Sequence, residues 1–256
     1  MEEKPRTTKA TGLLDTLSRL EASVRLSVIL PVRDEAAGIV QALLPLQELR
    51  GELEIIVVDG NSNDATRVLA EPLADQVIVT ETGRARQMNA GALLARGEWL
   101  LFLHADTRLP EGFMQLLPLD AEANTTNHTW GRFDVRLQPS SPLLRLVAWM
   151  MNRRSRLTGV CTGDQAIFVH RTLFEQLGGY AEIPLMEDIE LSKRLRRRSP
   201  PLCISTPLTT SSRRWQQHGT LPTILLMWRL RLLYWLGVAP ERLAQLYRQP
   251  SRHNDL

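Results

Sequence analysis

Leu53-Glu54-Ile55-Ile56-Val57-Val58-Asp59-Gly60-Asn61-Ser62-Asn63-Asp64 is the stretch on which the fold turns. Leu53 to Val58 is an apolar, β-branched run of strand length, and it stops at an acidic residue followed by a Gly-Asn-Ser turn. Two other runs stop in the same way: Leu26 to Leu30 before Asp34 and Glu35, and Trp99 to Leu103 before Asp106. Short apolar runs of this kind between helical segments predict buried parallel strands, and ligands of open α/β sheets bind outside the carboxyl ends of such strands. The carboxylates therefore mark the rim where a ligand is expected.

Outward from this stretch the chain alternates. Strands Leu26–Pro31, Leu53–Val58, Val77–Val79 and Trp99–Leu103 are predicted, with helices Ala36–Leu49, Asp64–Leu73 and Arg84–Ala95 between them. This implies a parallel sheet with right-handed crossovers. After Pro110 the pattern becomes mixed α+β: a helix near Gly112 to Pro118, a strand at Trp130–Leu137, a helix at Leu143–Leu157 and a strand around Ala166–Val169. Helices follow at Arg171–Leu177, closed by Gly178-Gly179, and at Glu187–Arg198, closed by Ser199-Pro200-Pro201. In the segment Leu221 to Leu236, apolar positions 221, 225, 228, 232 and 235 form a helical stripe. Arg229, Arg231 and the short length argue against a spanning helix. Packing on the domain core is the preferred reading, and an interfacial helix carrying Trp228, Tyr234 and Trp235 is the alternative.

With 256 residues and 43% hydrophobic content, the chain can bury a substantial core. Thirty-one Lys and Arg against 28 Asp and Glu leave +3, too modest an excess for a nucleic-acid-binding composition. Carboxylates beside apolar runs, with basic residues clustered at Arg153 to Arg156, Lys193 to Arg198 and Arg213 to Arg214, suit a metal and a phosphate. Cys161 and Cys203 form no CxxC pair, so neither a zinc site nor a disulfide framework is indicated. The polar N-terminus has no signal-peptide core, which predicts a cytoplasmic location and sets aside the sequons at Asn124 and Asn127.

Four constellations carry chemistry, each with a plain alternative. Asp59 at its strand end can accept hydrogen bonds from a base or ribose, or the turn is purely structural. His104-Ala105-Asp106 places two potential ligands at i and i+2, which face one ion if the strand geometry persists; otherwise they are a core histidine and a capping aspartate. Glu187-Asp188 opens a helix, either as dipole partners or with one carboxylate as a general base for an attacking hydroxyl. Arg213-Arg214-Trp215 offers guanidinium forks for phosphate and an indole for stacking, or is a solvated basic loop.

Pro31-Val32-Arg33-Asp34-Glu35, Val57 to Asp64, His104-Ala105-Asp106, Gly178-Gly179-Tyr180 and Glu187-Asp188 together resemble the family 2 glycosyltransferases, in order and spacing, over roughly residues 24 to 216. Gly83-Arg84-Ala85-Arg86-Gln87-Met88-Asn89-Ala90-Gly91 and Gly163-Asp164-Gln165 are similar to a bacterial subgroup that includes carotenoid-acid (diaponeurosporenoate-type) glycosyltransferases. The resemblance implies a GT-A fold: a mainly parallel central sheet flanked by helices, with a flexible tail at 1–22, the transferase domain at 23–216 and a C-terminal helical segment at 217–256. It implies that Pro31, Arg33, Glu35 and Asp59 hold the nucleoside and that Arg86 and Asn89 lie near the nucleotide-sugar. Asp106 would bind a divalent cation, Mg2+ or Mn2+, bridging the diphosphate, and Asp188 would be the base. Arg213, Arg214 and Trp215 would lie near diphosphate and acceptor, with His104, Asp164 and Glu187 completing the substrate site. His104 stands where the family has the first acid of Asp-Xaa-Asp, and Gly60-Asn61 occupies the middle of its Asp-Asp-Gly-Ser turn.

The expected activity is an inverting, metal-dependent transfer from a nucleotide-diphosphate sugar to a hydroxyl or carboxyl group. A hydrophobic acceptor is favoured, with peripheral contact with the cytoplasmic face of the membrane as an option that follows from the alternative reading of Leu221 to Leu236, and with no nucleic-acid partner. A sugar nucleotidyltransferase is one alternative, though it would favour a glycine-rich loop where this chain has Pro31 to Glu35. A non-catalytic nucleotide-sugar-binding module and a membrane-surface module are the others.

Overall fold

Among the described residues eight strands form one sheet, in the order β3 (Gln76–Val79), β2 (Leu53–Asp59), β1 (Leu26–Val32), β4 (Trp99–Phe102), β7 (Phe168–His170), β6 (Trp130–Gln138), β8 (Leu202–Ser211) and β5 (Thr107–Arg108). The computed structural model describes residues 24–119, 128–217 and 219–248; the tail expected at 1–22 and the sequon asparagines Asn124 and Asn127 lie outside them. β1 (Leu26–Val32), β2 (Leu53–Asp59), β3 (Gln76–Val79) and β4 (Trp99–Phe102) are the parallel half predicted from their apolar runs. Leu26 pairs with Leu53 and Val32 with Asp59, so β1 and β2 end level and present their turns to the same rim.

Helices α1 (Ile39–Leu43), α2 (Thr66–Ala70) and α3 (Arg84–Leu94) make the crossovers. The first two are shorter than predicted. Pro45 and Pro72 each enter at the start of a 3₁₀ turn, Leu44–Leu49 and Glu71–Leu73, because a residue without an N–H cannot continue the α ladder. Strand side chains alternate between two apolar layers: Val28, Leu30, Ile55 and Val57 pack on one face, Ile29, Ile56 and Val58 on the other. Glu54, the acid inside the opening stretch, is buried but satisfied by Ser27 Oγ at 2.6 Å and Arg96 Nε at 2.8 Å.

The second half adds β5 (Thr107–Arg108), β6 (Trp130–Gln138), β7 (Phe168–His170) and β8 (Leu202–Ser211). β7 runs antiparallel to β4 and β6, β8 parallel to β6, and β5 antiparallel to β8. Sequence reading assigned no strand to β8. Its register slips opposite Phe133/Asp134, where Pro207 interrupts, so its apolar positions follow no single period.

The helices predicted at Leu143–Leu157, Arg171–Leu177 and Glu187–Arg198 are present, with shifted ends. α4 (Pro142–Thr158) is capped by Ser141 Oγ, which accepts from Leu144 N at 3.2 Å. α5 (Arg171–Gln176) stops at Gly178 and Gly179, both at positive φ, and α6 (Glu187–Leu195) begins just after Met186. α7 (Arg213–Gln217), α8 (Thr220–Trp235) and α9 (Pro240–Arg248) end the described chain.

One expectation about α8 is reversed. Thr223, Ile224 and Leu230 are its buried residues, and Leu230 clusters with Met186, Ile189 and Leu243. The predicted stripe of Leu221, Leu225, Trp228, Leu232 and Trp235 is the exposed face, from 57% to 76% accessible. No helix among the described residues is long and apolar enough to cross a membrane.

Candidate active site

The turns after β1 and β2 are sewn to each other by polar side chains. Asp59 is buried and accepts hydrogen bonds from the Ser62 N–H at 3.0 Å and from the Ser62 hydroxyl. Ser62 Oγ in turn accepts from Asp34 N at 2.9 Å, and Asp34 Oδ1 accepts from Asn63 N at 2.8 Å. Asp64 holds Ala36 N at 3.1 Å and Thr66 N at 2.9 Å, while Thr66 Oγ1 accepts from Glu35 N at 2.8 Å. Short polar residues were needed here because Asp34 and Asn61 adopt left-handed backbone conformations. Beneath them the buried Gln87 amide donates to Val32 O and Val58 O, both at 2.8 Å, and ties the two strand ends together. The predicted site set did not include Gln87; its only signal was its place in the Gly83–Gly91 motif.

The end of β1 and the turn after it bound one side of a cleft of about 700 Å³. Pro31, Arg33, Glu35, Asp106, Arg213 and Trp215 line it, and so do His104, Asp164, Glu187 and Asp188. β8 makes the first grouping possible: Ser211 N donates to Asp106 O at 3.1 Å and Thr107 pairs with Thr210, so the strand delivers Arg213 to within 3.4 Å of Glu35. β4 ends at Phe102 and the chain turns at Ala105-Asp106, so the extended geometry that would aim His104 and Asp106 at one ion is not kept. Instead His104 Nδ1 meets Asp164 Oδ1 at 3.4 Å, and a Cβ on Gly163 would fall 2.6 Å from the His104 ring.

Asp188 joins the same cluster. Its Oδ2 accepts from Gly163 N and its Oδ1 from Ile189 N, both at 2.7 Å, which fixes the carboxylate while leaving lone pairs on each oxygen. Met186, at φ 71°, sets the angle at which α6 enters, a backbone state costing roughly 1 kcal/mol or more for a non-glycine residue.

Charge is distributed unevenly along the cleft. Burial raises the Glu35 carboxyl above its usual range; Arg213 opposes this and Asp106 adds to it. Burial and the neighbouring Asp188 raise Glu187, which Arg84 Nη1 approaches at 3.8 Å. The half-exposed Asp164 would be raised by its crowding within the protein, yet His104, Arg84 and Arg231 outweigh that and hold it below the usual aspartate range. Arg154 is brought down to about 10 by burial and by the nearby Arg231.

The described residues contain no group of three or more His, Cys, Asp or Glu that could hold a metal by itself. Asp106 beside Glu35 does fit a hard divalent cation that takes its remaining ligands from a substrate diphosphate and water.

Three residues expected at the ligand do not line the cleft. Asp59 is 2% exposed and engaged by Ser62. Arg86 bridges Glu81 and Glu182, and both ends of the Asn89 amide bind the Tyr180 backbone at 2.8 Å. In each case a local protein partner takes the group that was expected to meet the donor. The Arg214 backbone belongs to α7, and its side chain lies outside the described set. Arg154 and Arg231, by contrast, line the cleft without having been singled out.

Comparison with known proteins adds the following. Residues 27–173 match the family model described as Glycosyl transferase family 2. A PGL/p-HBAD biosynthesis glycosyltransferase of Mycobacterium bovis (strain BCG) is 30% identical over 181 residues, covering 62% of this chain and 64% of that protein. The chain thus spans just under two thirds of the length of the curated relatives it matches. S. aureus TarS 1-349 in complex with UDP-GlcNAc superposes with a TM-score of 0.58 at 18% identity, over 73% of this chain and 58% of that one. A mannosyltransferase from Pyrobaculum calidifontis in complex with GDP-Man and Mn2+ gives 0.53 at 23% identity, over 79% and 64%. The shared architecture is GT-A-like.

Proposed function

The chain belongs to glycosyl transferase family 2, and from this and the cleft we propose that it moves a sugar from a nucleotide-diphosphate sugar to an acceptor oxygen, with inversion and with a divalent cation. The observation that carries the reading is Asp188, held by two backbone N–H groups on the wall of the cleft that the Glu35, Asp106 and Arg213 grouping also lines. The donor diphosphate is assigned to that grouping, with the nucleoside towards Pro31 and Arg33 and with Trp215 nearby. Asp106 would hold Mg2+ or Mn2+, whose charge would offset that of the leaving diphosphate. Asp188 takes the proton of the acceptor hydroxyl as its oxygen bonds to the anomeric carbon and the bond from that carbon to the diphosphate oxygen breaks. His104 and Asp164 position the Gly163 loop that fixes Asp188. The P. calidifontis relative, solved with GDP-Man and Mn2+, supports the choice of donor class and ion.

A panel of UDP- and GDP-sugars tests this. One of them with Mn2+ should raise the melting temperature of the wild type by roughly 5–10 °C at ~100 times its Kd, and Asp106→Asn should lose the metal-dependent part. No shift with any of them would count against a nucleotide-sugar site.

A second reading concerns where the acceptor comes from. Trp228 lines the cleft and is also part of the exposed apolar face of α8, so the site is continuous with an apolar surface. This supports a hydrophobic acceptor, met at the cytoplasmic face of a membrane by peripheral contact. The likeness to carotenoid-acid transferases points the same way, although Gln87, Asn89 and Gly91 of that motif serve packing and strand ends. In liposome sedimentation Leu225→Ser/Trp235→Ser should lose most of the wild-type partitioning; unchanged partitioning would reject the face as a contact.

A further inference from the structure

The proposed transfer leaves two cations in the cleft without a task. Arg154 comes from α4 and Arg231 from α8, and both line the cleft. Arg154 Nε and Nη2 and Arg231 Nε are buried and meet no hydrogen-bond partner among the described residues. The two guanidinium groups repel each other, and burial lowers both, Arg154 to about 10. Two like charges held together and unsatisfied are costly in a folded chain, and an oxyanion removes both costs at once.

We infer that Arg154 and Arg231 form a subsite for an anionic group, a phosphate or carboxylate, carried by the acceptor and not by the sugar donor. Two observations place it on the acceptor side. The carboxylates that act on both arginines are Asp188 and Asp164, whereas Asp106 and Arg213 act on Glu35 in the other grouping. The helix that carries Arg231 also brings Met227 and Trp228 to the cleft, so the anion is seated beside an apolar wall. The planar forks offer paired N–H donors, a geometry that matches two oxygens of one phosphate or carboxylate. The acceptor is thus an amphiphilic acid. This rests on the reading of Asp188 as the group that faces the acceptor.

The test uses the full chain with inorganic phosphate and hexanoate as probes, read by tryptophan fluorescence and melting temperature. Wild type should bind at least one probe saturably, with an affinity changed less than about threefold by saturating UDP or GDP with Mn2+. Arg154→Gln and Arg231→Gln should each weaken it about tenfold or more, the loss expected for one charge-assisted hydrogen bond, and leave nucleoside diphosphate affinity within about threefold. Without ligand, both variants should melt higher than wild type by about 2–4 °C, since a repelling buried pair has been removed, while the probe-induced shift disappears. Arg154→Lys keeps the charge and should retain part of the binding. Competition between probe and nucleoside diphosphate would assign the arginines to the donor and overturn the inference, as would no binding of either probe. Probe binding without any nucleoside diphosphate binding would instead sink the transferase reading and leave the anion subsite standing.

Discussion

Asp164 and Glu35 occupy one cleft and respond to pH in opposite directions. Asp164 is held below the ordinary aspartate value of 3.8, so it contributes stability that is complete above that pH and is lost as pH falls through its lower folded value. Glu35 is raised above 4.5, so as a charged group it costs stability at neutral pH, and that cost is gone below 4.5, where both folded and unfolded chains are protonated. Melting curves should therefore show Glu35→Gln more stable than wild type at pH 7 and equal to it below pH 4.5. Asp164→Asn should be less stable at pH 7 and should flatten the acid limb below 3.8. A Glu35→Gln variant that melts lower at pH 7 would show that the Arg213 pair outweighs burial. At this scale the sequence was informative where identity implies chemistry, as at Asp106 and Asp188. It did not pair Arg154 with Arg231: the first was one of a basic cluster at 153–156 and the second an argument against a membrane span, and they share a cleft only because α4 and α8 are brought together in the fold.

Gly91 shows how closely α3 must lie on the sheet. A Cβ there would come 2.5 Å from Ile29 Cγ2 and 3.0 Å from Val58 Cγ2, one contact on each of the two strands whose ends frame the site. Gly91→Ala should cost about 1–3 kcal/mol by overpacking, despite the better helix propensity of alanine. The double variant with Ile29→Ala should lose less than the sum of the two single changes in denaturant titrations; strict additivity would mean the two positions do not meet. Parallel strands buried on both faces are readable because nearly every residue in them is apolar, which is why β1, β2 and β4 were placed from sequence. β8 was not, because Pro207 and the register slip break its alternation. α8 was found but turned the wrong way: a helix apolar nearly all round carries no stripe that selects a buried face.

The whole cleft is assembled from both halves of the chain. The first half supplies the level strand ends and Asp106, and the second supplies Asp188, the Gly163 loop, the cleft-lining arginines and β8, which brings Arg213 across to Glu35. The parallel half and its carboxylate rim were legible because each lies within one strand and the turn after it. The join between the halves was not, since it depends on β7 and β8 entering the sheet with mixed directions. The central claim is that Asp188 removes the acceptor proton during sugar transfer, and its most direct test is release of nucleoside diphosphate. Release from UDP- and GDP-sugars with Mn2+ and a lipid extract as acceptor source should be compared between wild type and Asp188→Asn. The account predicts a loss of about 10²–10⁴ in turnover with donor affinity within about threefold of wild type. Undiminished release by a folded Asp188→Asn variant would contradict it.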